Sequence, residues 1–108
     1  MLRVVSVRDQ VGRLKGHTLF TLGRRCAFDV VDIASGSVEI RLHSTGKKSR
    51  VSRRRIERAW ELLESAGSLT QKEIKEGASR YNYSYVAAIL AALPGVKHTG
   101  QPVELRLA

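Results

Sequence analysis

The sequence of 108 residues predicts an α+β fold, in which a small antiparallel β-sheet precedes three helices and a closing β-hairpin. Before residue 50, short runs of alternating polar and apolar residues are separated by glycine, which is typical of strands joined by turns. After residue 50, apolar residues recur at helical spacing between capping residues. We therefore expect a sheet subdomain over residues 1–50 and a helical subdomain over residues 51–108, together forming one compact unit.

Strands are predicted at three segments of alternating character: 17–22, 27–33 and 37–43. The alternation is clearest in the last segment, where Val38, Ile40 and Leu42 face one side of the sheet. The sequence ASGS at 34–37 predicts a turn between the second and third strands. The N-terminus gives weaker signals: residues 2–7 are expected to form a further strand or an ordered arm, and residues 8–16 a loop.

The first helix is predicted to begin after Ser52 and to end at Gly67. Its apolar residues recur at helical spacing: Ile56, Ala59, Trp60 and Leu63. Ser52 is a residue type favoured as an N-cap, and Gly67 lies where a left-handed C-cap belongs. We expect the apolar stripe, including Trp60, to face the core.

The second helix is short, but its start is marked by two independent devices. Thr70 is expected to form a capping box with Glu73, three residues further along the chain. Leu69, before the cap, is placed to pack on Ile74 as a hydrophobic staple. The helix is expected to end at Gly77.

A third helix is predicted before Pro94, with Asn82 or Ser84 as its cap and aliphatic residues over 86–93. Residues 96–107 then alternate around the turn sequence TGQP, which predicts a closing β-hairpin.

In order, residues 52–108 are predicted to form a helix, a short capped helix, a third helix and a hairpin. This order resembles the winged helix-turn-helix modules of DNA-binding proteins. In that resemblance LTQKEIKEG is the positioning helix, ASRYNYS the turn region and VKHTGQPVELRL the wing. The resemblance implies that the third helix is presented to the major groove of DNA and that the wing touches the DNA backbone.

The third helix departs from this pattern, because residues 86–93 offer no side chain that can hydrogen-bond to base edges. Only its N-terminal end carries polar side chains that can hydrogen-bond to bases: Arg80, Asn82 and Ser84. Two alternatives follow. Either base contacts are limited to that end, or the alanine face of the helix packs on the N-terminal sheet and the binding surface lies elsewhere.

The charge of the chain points to an acidic partner. A net charge of +9 favours nucleic acid first, and an anionic membrane surface or an acidic protein second. The charge is concentrated, since eight Lys or Arg residues lie between Arg41 and Arg58 against one acidic residue, Glu57.

Arg53, Arg54 and Arg55 occupy the first turn of a helix, where cations interact unfavourably with the helix dipole. Helix stability therefore does not explain them, whereas an anion site does, because free amides and guanidinium groups both bind phosphate. The predicted nucleic-acid contacts are Lys47, Lys48, Arg50, Arg53, Arg54 and Arg55, with Arg80, Asn82 and Ser84. Replacing the three helical arginines by Gln is expected to weaken binding without lowering stability.

The competing interpretation of this cluster is a solvated basic turn or a basic targeting cluster. In that case the basic surface would be sought around other cations together with Arg80: Arg24, Arg25, Lys72 and Lys75. The tyrosines at 81, 83 and 85 are also open to two interpretations. Their rings either stack on bases, or pack over the core with the hydroxyl group exposed to water.

No enzyme, cofactor or metal site is expected. Asp29 and Asp32 with the sequence EIR at 39–41 only loosely resemble a metal-dependent nuclease site, and arginine is not equivalent to the lysine of such sites. The three histidines are far apart, and Cys26 is the single cysteine, expected to be buried. No apolar run is long enough for a membrane span or a signal peptide, so we expect a cytoplasmic protein.

The sequence thus favours nucleic-acid binding, with double-stranded DNA preferred over RNA. The alternative is a protein-interaction or targeting module of a larger system.

Overall fold

Four antiparallel strands form the N-terminal sheet in a computed structural model, which describes residues 7–100 and 102–107. The strands are β1 (Thr18–Phe20), β2 (Ala27–Ile33), β3 (Ser37–Leu42) and β4 (Lys48–Ser52). Each pairs with the next along the chain, so β1 and β4 are the edges of the sheet. The predicted turn joins β2 to β3, and Val38 lies opposite Ile33. The predicted α+β fold, with its small antiparallel sheet, is confirmed.

The segment predicted to be a loop contains a helix, α1 (Val7–Gly12), so that prediction was wrong. Val11 and Leu14 are buried and Val7 packs against the core. These three residues have the i, i+4, i+7 spacing of one helix face, which the nearby glycines obscured. Of the strand or arm predicted over residues 2–7, only Val7 lies within the described residues.

Three further helices follow the first sheet as predicted: α2 (Arg53–Ala66), α3 (Gln71–Gly77) and α4 (Tyr83–Ala91). Gly67 ends α2 in the left-handed conformation, with φ 77°, and its N–H donates to the Leu63 carbonyl. Thr70 and Glu73 form the predicted capping box at the start of α3. The local capping signals therefore position these helix ends correctly.

The C-terminal hairpin is also present, as β6 (Val96–Gly100) and β7 (Val103–Leu107). A three-residue strand that the sequence did not predict, β5 (Ser68–Thr70), joins it and gives the sheet order β5-β7-β6. The end of β6 approaches the connection between β1 and β2 closely at Gly100, where a Cβ atom would lie 2.7 Å from the Leu22 carbonyl oxygen. Only a residue without a side chain fits there.

The core combines side chains from both sheets and from all four helices. Helix α4 lies in its middle, because the five residues from Val86 to Leu90 are all buried. Trp60 packs against the core as predicted, although it is only partly buried. Cys26, in contrast, was predicted to be buried and is exposed beside the turn that precedes β2. Strand β4 crosses the predicted subdomain boundary at residue 50.

Candidate nucleic-acid interface

Strand β4 leads directly into α2 and carries cations on its outer face. Because side chains alternate along a strand, Lys48, Arg50 and Ser52 project on the side opposite the buried Val51. Arg41 lies directly opposite Lys48 on the neighbouring strand β3. Lys47 is exposed in the turn just before β4. The predicted residues Lys47, Lys48 and Arg50 are therefore all available to a ligand.

The structure gives Arg53 a role different from the predicted phosphate contact. Its side chain is only 9% exposed and donates two hydrogen bonds to backbone carbonyls. Nη1 lies 2.8 Å from the Ala34 oxygen, and Nη2 lies 3.0 Å from the Arg8 oxygen. Arg53 thus ties the β2–β3 turn and α1 to the start of α2. We therefore do not include Arg53 among the proposed nucleic-acid contacts. Its replacement by Gln is expected to lower stability, contrary to the sequence-based prediction.

Arg54 and Arg55, in contrast, are exposed at the start of α2. Within residues 7–100 and 102–107, neither forms an ion pair with a carboxylate. Ser52 takes the predicted N-cap position, but its side chain makes no capping hydrogen bond. The first turn of α2 therefore combines two free guanidinium groups with the positive end of a helix dipole.

Two adjoining depressions beside this turn share Arg55 and Ala78 in their walls. Together they form one concave surface, here called the basic groove, which runs from the start of α2 to the turn between α3 and α4. Its cationic residues are Arg54, Arg55, Arg58, Lys75 and Arg80. Ser52, the last outward residue of β4, also lines it, so the groove continues the cationic face of that strand.

Acidic side chains line the basic groove as well, but two of the three are already paired. Glu57 bonds to Arg8 at 3.0 Å, and Glu61 pairs with Arg58 at 3.6 Å. Glu76 is the remaining carboxylate. The excess positive charge of the groove therefore comes from the four cations outside these pairs: Arg54, Arg55, Lys75 and Arg80. Of these, Lys75 was considered from the sequence only as part of an alternative surface.

The turn between α3 and α4 is held in place by two polar side chains. Ser79 is buried, and its hydroxyl donates to the carbonyl of Tyr81. Asn82 adopts the left-handed conformation, with φ 58°, and its side-chain amide donates to the Arg50 carbonyl at 3.2 Å. Arg80 and Tyr81, between these anchors, are exposed. Asn82 takes the predicted N-cap position of α4 without making a side-chain capping bond.

Ser84 lies apart from the basic groove. It lines a separate depression with Arg24, Gln71 and Tyr83, and is partly buried. The structure therefore brings Arg54, Arg55 and Arg80 together, with Arg50 linked to them through Asn82, but places Ser84 on another surface.

The alanine face of α4 packs against the N-terminal half, as one of the two alternatives expected. Ala87 and Ala88 are buried, and α4 contacts β1. The Tyr85 ring meets the Phe28 ring edge-on, with centroids 5.2 Å apart. The middle of this helix, from Val86 to Leu90, is thus enclosed by the protein.

On the outer face of the first sheet, Asp29 accepts hydrogen bonds from Thr18 and His43. Its Oδ1 lies 2.5 Å from the Thr18 hydroxyl oxygen and 2.9 Å from His43 Nε2. The Thr18 hydrogen bond is the main reason that the pKa of Asp29 lies below its usual range, followed by the bond from His43. Among the residues described, no group of three or more His, Cys, Asp or Glu side chains is arranged to hold a metal ion.

Comparisons with known proteins assign no family to the chain, since no family model matches it and no curated protein or solved structure is significantly similar to it. Within the described ranges 7–100 and 102–107, none of the helices has the length and apolar character of a membrane span.

Proposed function

We propose that this protein binds nucleic acid, with double-stranded DNA preferred over RNA, through the basic groove and the outer face of β4. The observation that carries the proposal is the pair Arg54 and Arg55, exposed at a helix N-terminus and without carboxylate partners in the described chain. Cations at this position lower the stability of the helix. A bound phosphate group offsets this effect because it accepts bidentate hydrogen bonds from guanidinium.

The order of elements after residue 52 supports the same class of ligand. Helices α2, α3 and α4 are followed by the β6–β7 hairpin, and β5 ties that hairpin to the helices. This arrangement is compatible with the resemblance to winged helix-turn-helix modules. The buried middle of α4, however, argues against its use as a base-reading helix along its length.

The proposed contacts are therefore mainly to phosphate. Phosphate contacts fix the position of a protein on the duplex without reading its sequence. Arg80 at the groove is the one predicted base-reading residue with a long, exposed side chain. We accordingly expect little difference in affinity between duplexes of different sequence.

Fluorescence anisotropy with a labelled duplex at several salt concentrations tests the proposal. The wild type should lose affinity steeply as salt rises, because bound phosphates release counterions. Arg54→Gln/Arg55→Gln should bind more weakly to every duplex, and the slope of log K against log salt should fall by about 1.8, or 0.9 for each lost contact. Unchanged affinity and slope in this variant would exclude the groove as the binding surface.

A matched control removes the same charge elsewhere. Arg24 and Arg25 are also consecutive, exposed arginines, and neither lines the basic groove. Arg24→Gln/Arg25→Gln should bind like the wild type. If this control alone weakens binding, the contact surface lies on that side of the molecule. Binding that hardly responds to salt in any variant would instead favour the protein-interaction alternative.

A further inference from the structure

The three tyrosines near the start of α4 lie in three different environments. Tyr85 packs on Phe28 in the core, and Tyr83 is half-buried with the Lys75 ammonium 5.4 Å from its ring centre. Tyr81 is 74% exposed and is the most exposed large hydrophobic side chain of the described residues. Tyr83 and Tyr85 thus cover the core, which is one of the two interpretations open from the sequence, and of the three tyrosines Tyr81 alone has a largely exposed ring.

The backbone that carries Tyr81 is anchored on both sides. Its carbonyl accepts a hydrogen bond from Ser79, whose side chain is only 1% exposed. The next residue, Asn82, is fixed to the edge strand β4 through the Arg50 carbonyl. An aromatic ring on such a support has only two side-chain torsions to order when it binds, so the entropic cost of binding is small.

Tyr81 also adjoins the basic groove. It directly follows Arg80, which lines the groove, and consecutive Cα atoms are about 3.8 Å apart, so the backbone of Tyr81 lies at the edge of the groove. Arg55 and Lys75 line the same part of the groove. A cationic channel that follows the phosphate backbone beside an aromatic ring that stacks on a base is how proteins hold single-stranded nucleic acid. In an intact duplex the faces of internal bases are covered by their neighbours, so such a ring requires an unpaired base.

We propose that Tyr81 stacks on an unpaired base, and that the preferred ligand is a duplex that continues into a single strand. The duplex lies on the cationic face of β4 and the groove, and the first unpaired nucleotides pass Arg80 to reach Tyr81. This inference rests on the proposed function, since the same groove supplies the phosphate contacts.

Three labelled DNA probes test the inference by anisotropy: a blunt duplex, the same duplex with a single-stranded overhang, and the single strand alone. The wild type should bind the overhang probe most tightly. Tyr81→Ala should weaken binding to that probe at least about fivefold, the lower end of the effect of one base–aromatic stack, and should change blunt-duplex affinity less than twofold. Tyr81→Phe, which keeps the ring, should bind like the wild type.

Stacking and charge have separate signatures in this experiment. Tyr81→Ala removes no charge, so its salt slope should equal that of the wild type, whereas Arg80→Gln should lower the slope by about 0.7, the value for one phosphate of a single strand. An overhang probe with 2-aminopurine at its first unpaired position reports stacking directly. Its fluorescence should be quenched by the wild type and by Tyr81→Phe, but not by Tyr81→Ala.

Phe20→Ala is the matched aromatic control. Phe20 is 47% exposed and has the Arg25 guanidinium 5.5 Å from its ring centre, but it lies outside the basic groove. Its removal should leave all three affinities unchanged.

The two proposals fail in different ways. If no probe binds with salt-dependent affinity, the proposed function itself fails. If the blunt duplex binds normally while Tyr81→Ala matches the wild type on every probe, the stacking inference is overturned and duplex binding stands. Thermal melting of each variant confirms that the comparison is between folded proteins.

Discussion

The side-chain amide of Asn82 donates a hydrogen bond to the backbone carbonyl of Arg50, across 32 residues of sequence. This bond joins the start of α4 to the edge strand of the first sheet. Asn82 also has φ 58°, a conformation that asparagine tolerates better than most residues. One residue therefore sets the turn that carries Tyr81 and fixes that turn to the proposed phosphate-binding strand.

Asn82→Ala should lower the free energy of unfolding by about 2 kcal/mol, since it removes a hydrogen bond and puts alanine, which has no polar side chain to stabilise the left-handed conformation, at this position. Asn82→Gly removes the same hydrogen bond but adopts this φ without strain, so it should cost about 1 kcal/mol. Urea denaturation measures both values. Equal losses would mean that the backbone conformation contributes nothing.

Arg53→Gln should destabilise the protein by about 2 to 3 kcal/mol, because it removes two hydrogen bonds from a charged, buried donor. Arg53→Lys should also be destabilised, since an ammonium group does not reproduce the guanidinium fork. Arg54→Gln is the neighbouring control and should melt at the wild-type temperature or slightly above it. A stable Arg53→Gln variant would contradict the structural role assigned to this residue.

Thr70→Ala should cost about 1 kcal/mol of stability, because the Glu73 amide loses its capping partner at the start of α3. Glu73→Gln preserves the reciprocal bond to the Thr70 amide and should cost less. Neither residue lines the basic groove, so DNA affinity per folded molecule should not change. A loss of affinity without a loss of stability would make the start of α3 part of the interface.

Gly100→Ala should destabilise the protein by about 1 to 3 kcal/mol, because its Cβ would meet the Leu22 carbonyl oxygen at 2.7 Å and the backbone would have to move. Gly36→Ala is the control, since no atom lies within 4 Å of the position that its Cβ would take. Chemical denaturation of the two variants should show a large difference. Similar stabilities would show that β6 and the β1–β2 connection move apart there at little cost.

The stability contributed by Asp29 should depend on pH. The pKa of Asp29 is lower in the folded protein than in the unfolded protein, where it is near 3.8. The folded state therefore binds fewer protons, and the contribution is complete above this value and is lost as the pH falls through the lower folded pKa. The difference in melting temperature between the wild type and Asp29→Asn should shrink over that range. Thr18→Val should raise the pKa of Asp29 in an NMR titration of its carboxyl carbon.

Local signals in the sequence predicted the helical half well. The capping box at Thr70 and the left-handed Gly67 are short-range devices, so their residues alone define where the helices begin and end. Strand β4 was missed for a physical reason. As an edge strand it buries only Val51, and the alternation that identifies a strand is hidden among cations. The strand β5 was missed because it has only three residues.

The candidate site was predicted in part. A sequence shows which residues are charged, but not the direction in which their side chains point. Arg53 lies three residues before the buried Ile56, on the apolar face of α2, and this spacing was the available sign that it points inward. Arg55, Lys75 and Arg80 line the same depression because of how α2, α3 and the following turn pack. No spacing in the sequence encodes that contact.

Strand β4 leaves one row of backbone groups unpaired by its neighbour β3, and such an edge is prone to pair with a strand of another molecule. Two features oppose this. Asn82 occupies the Arg50 carbonyl, and the side chains of Lys48 and Arg50 would face like charges across a pair of identical strands. The cations that we propose to hold phosphate therefore also keep copies of the free protein from joining edge to edge. Bound nucleic acid would neutralise them, so protection from aggregation and ligand binding depend on the same side chains.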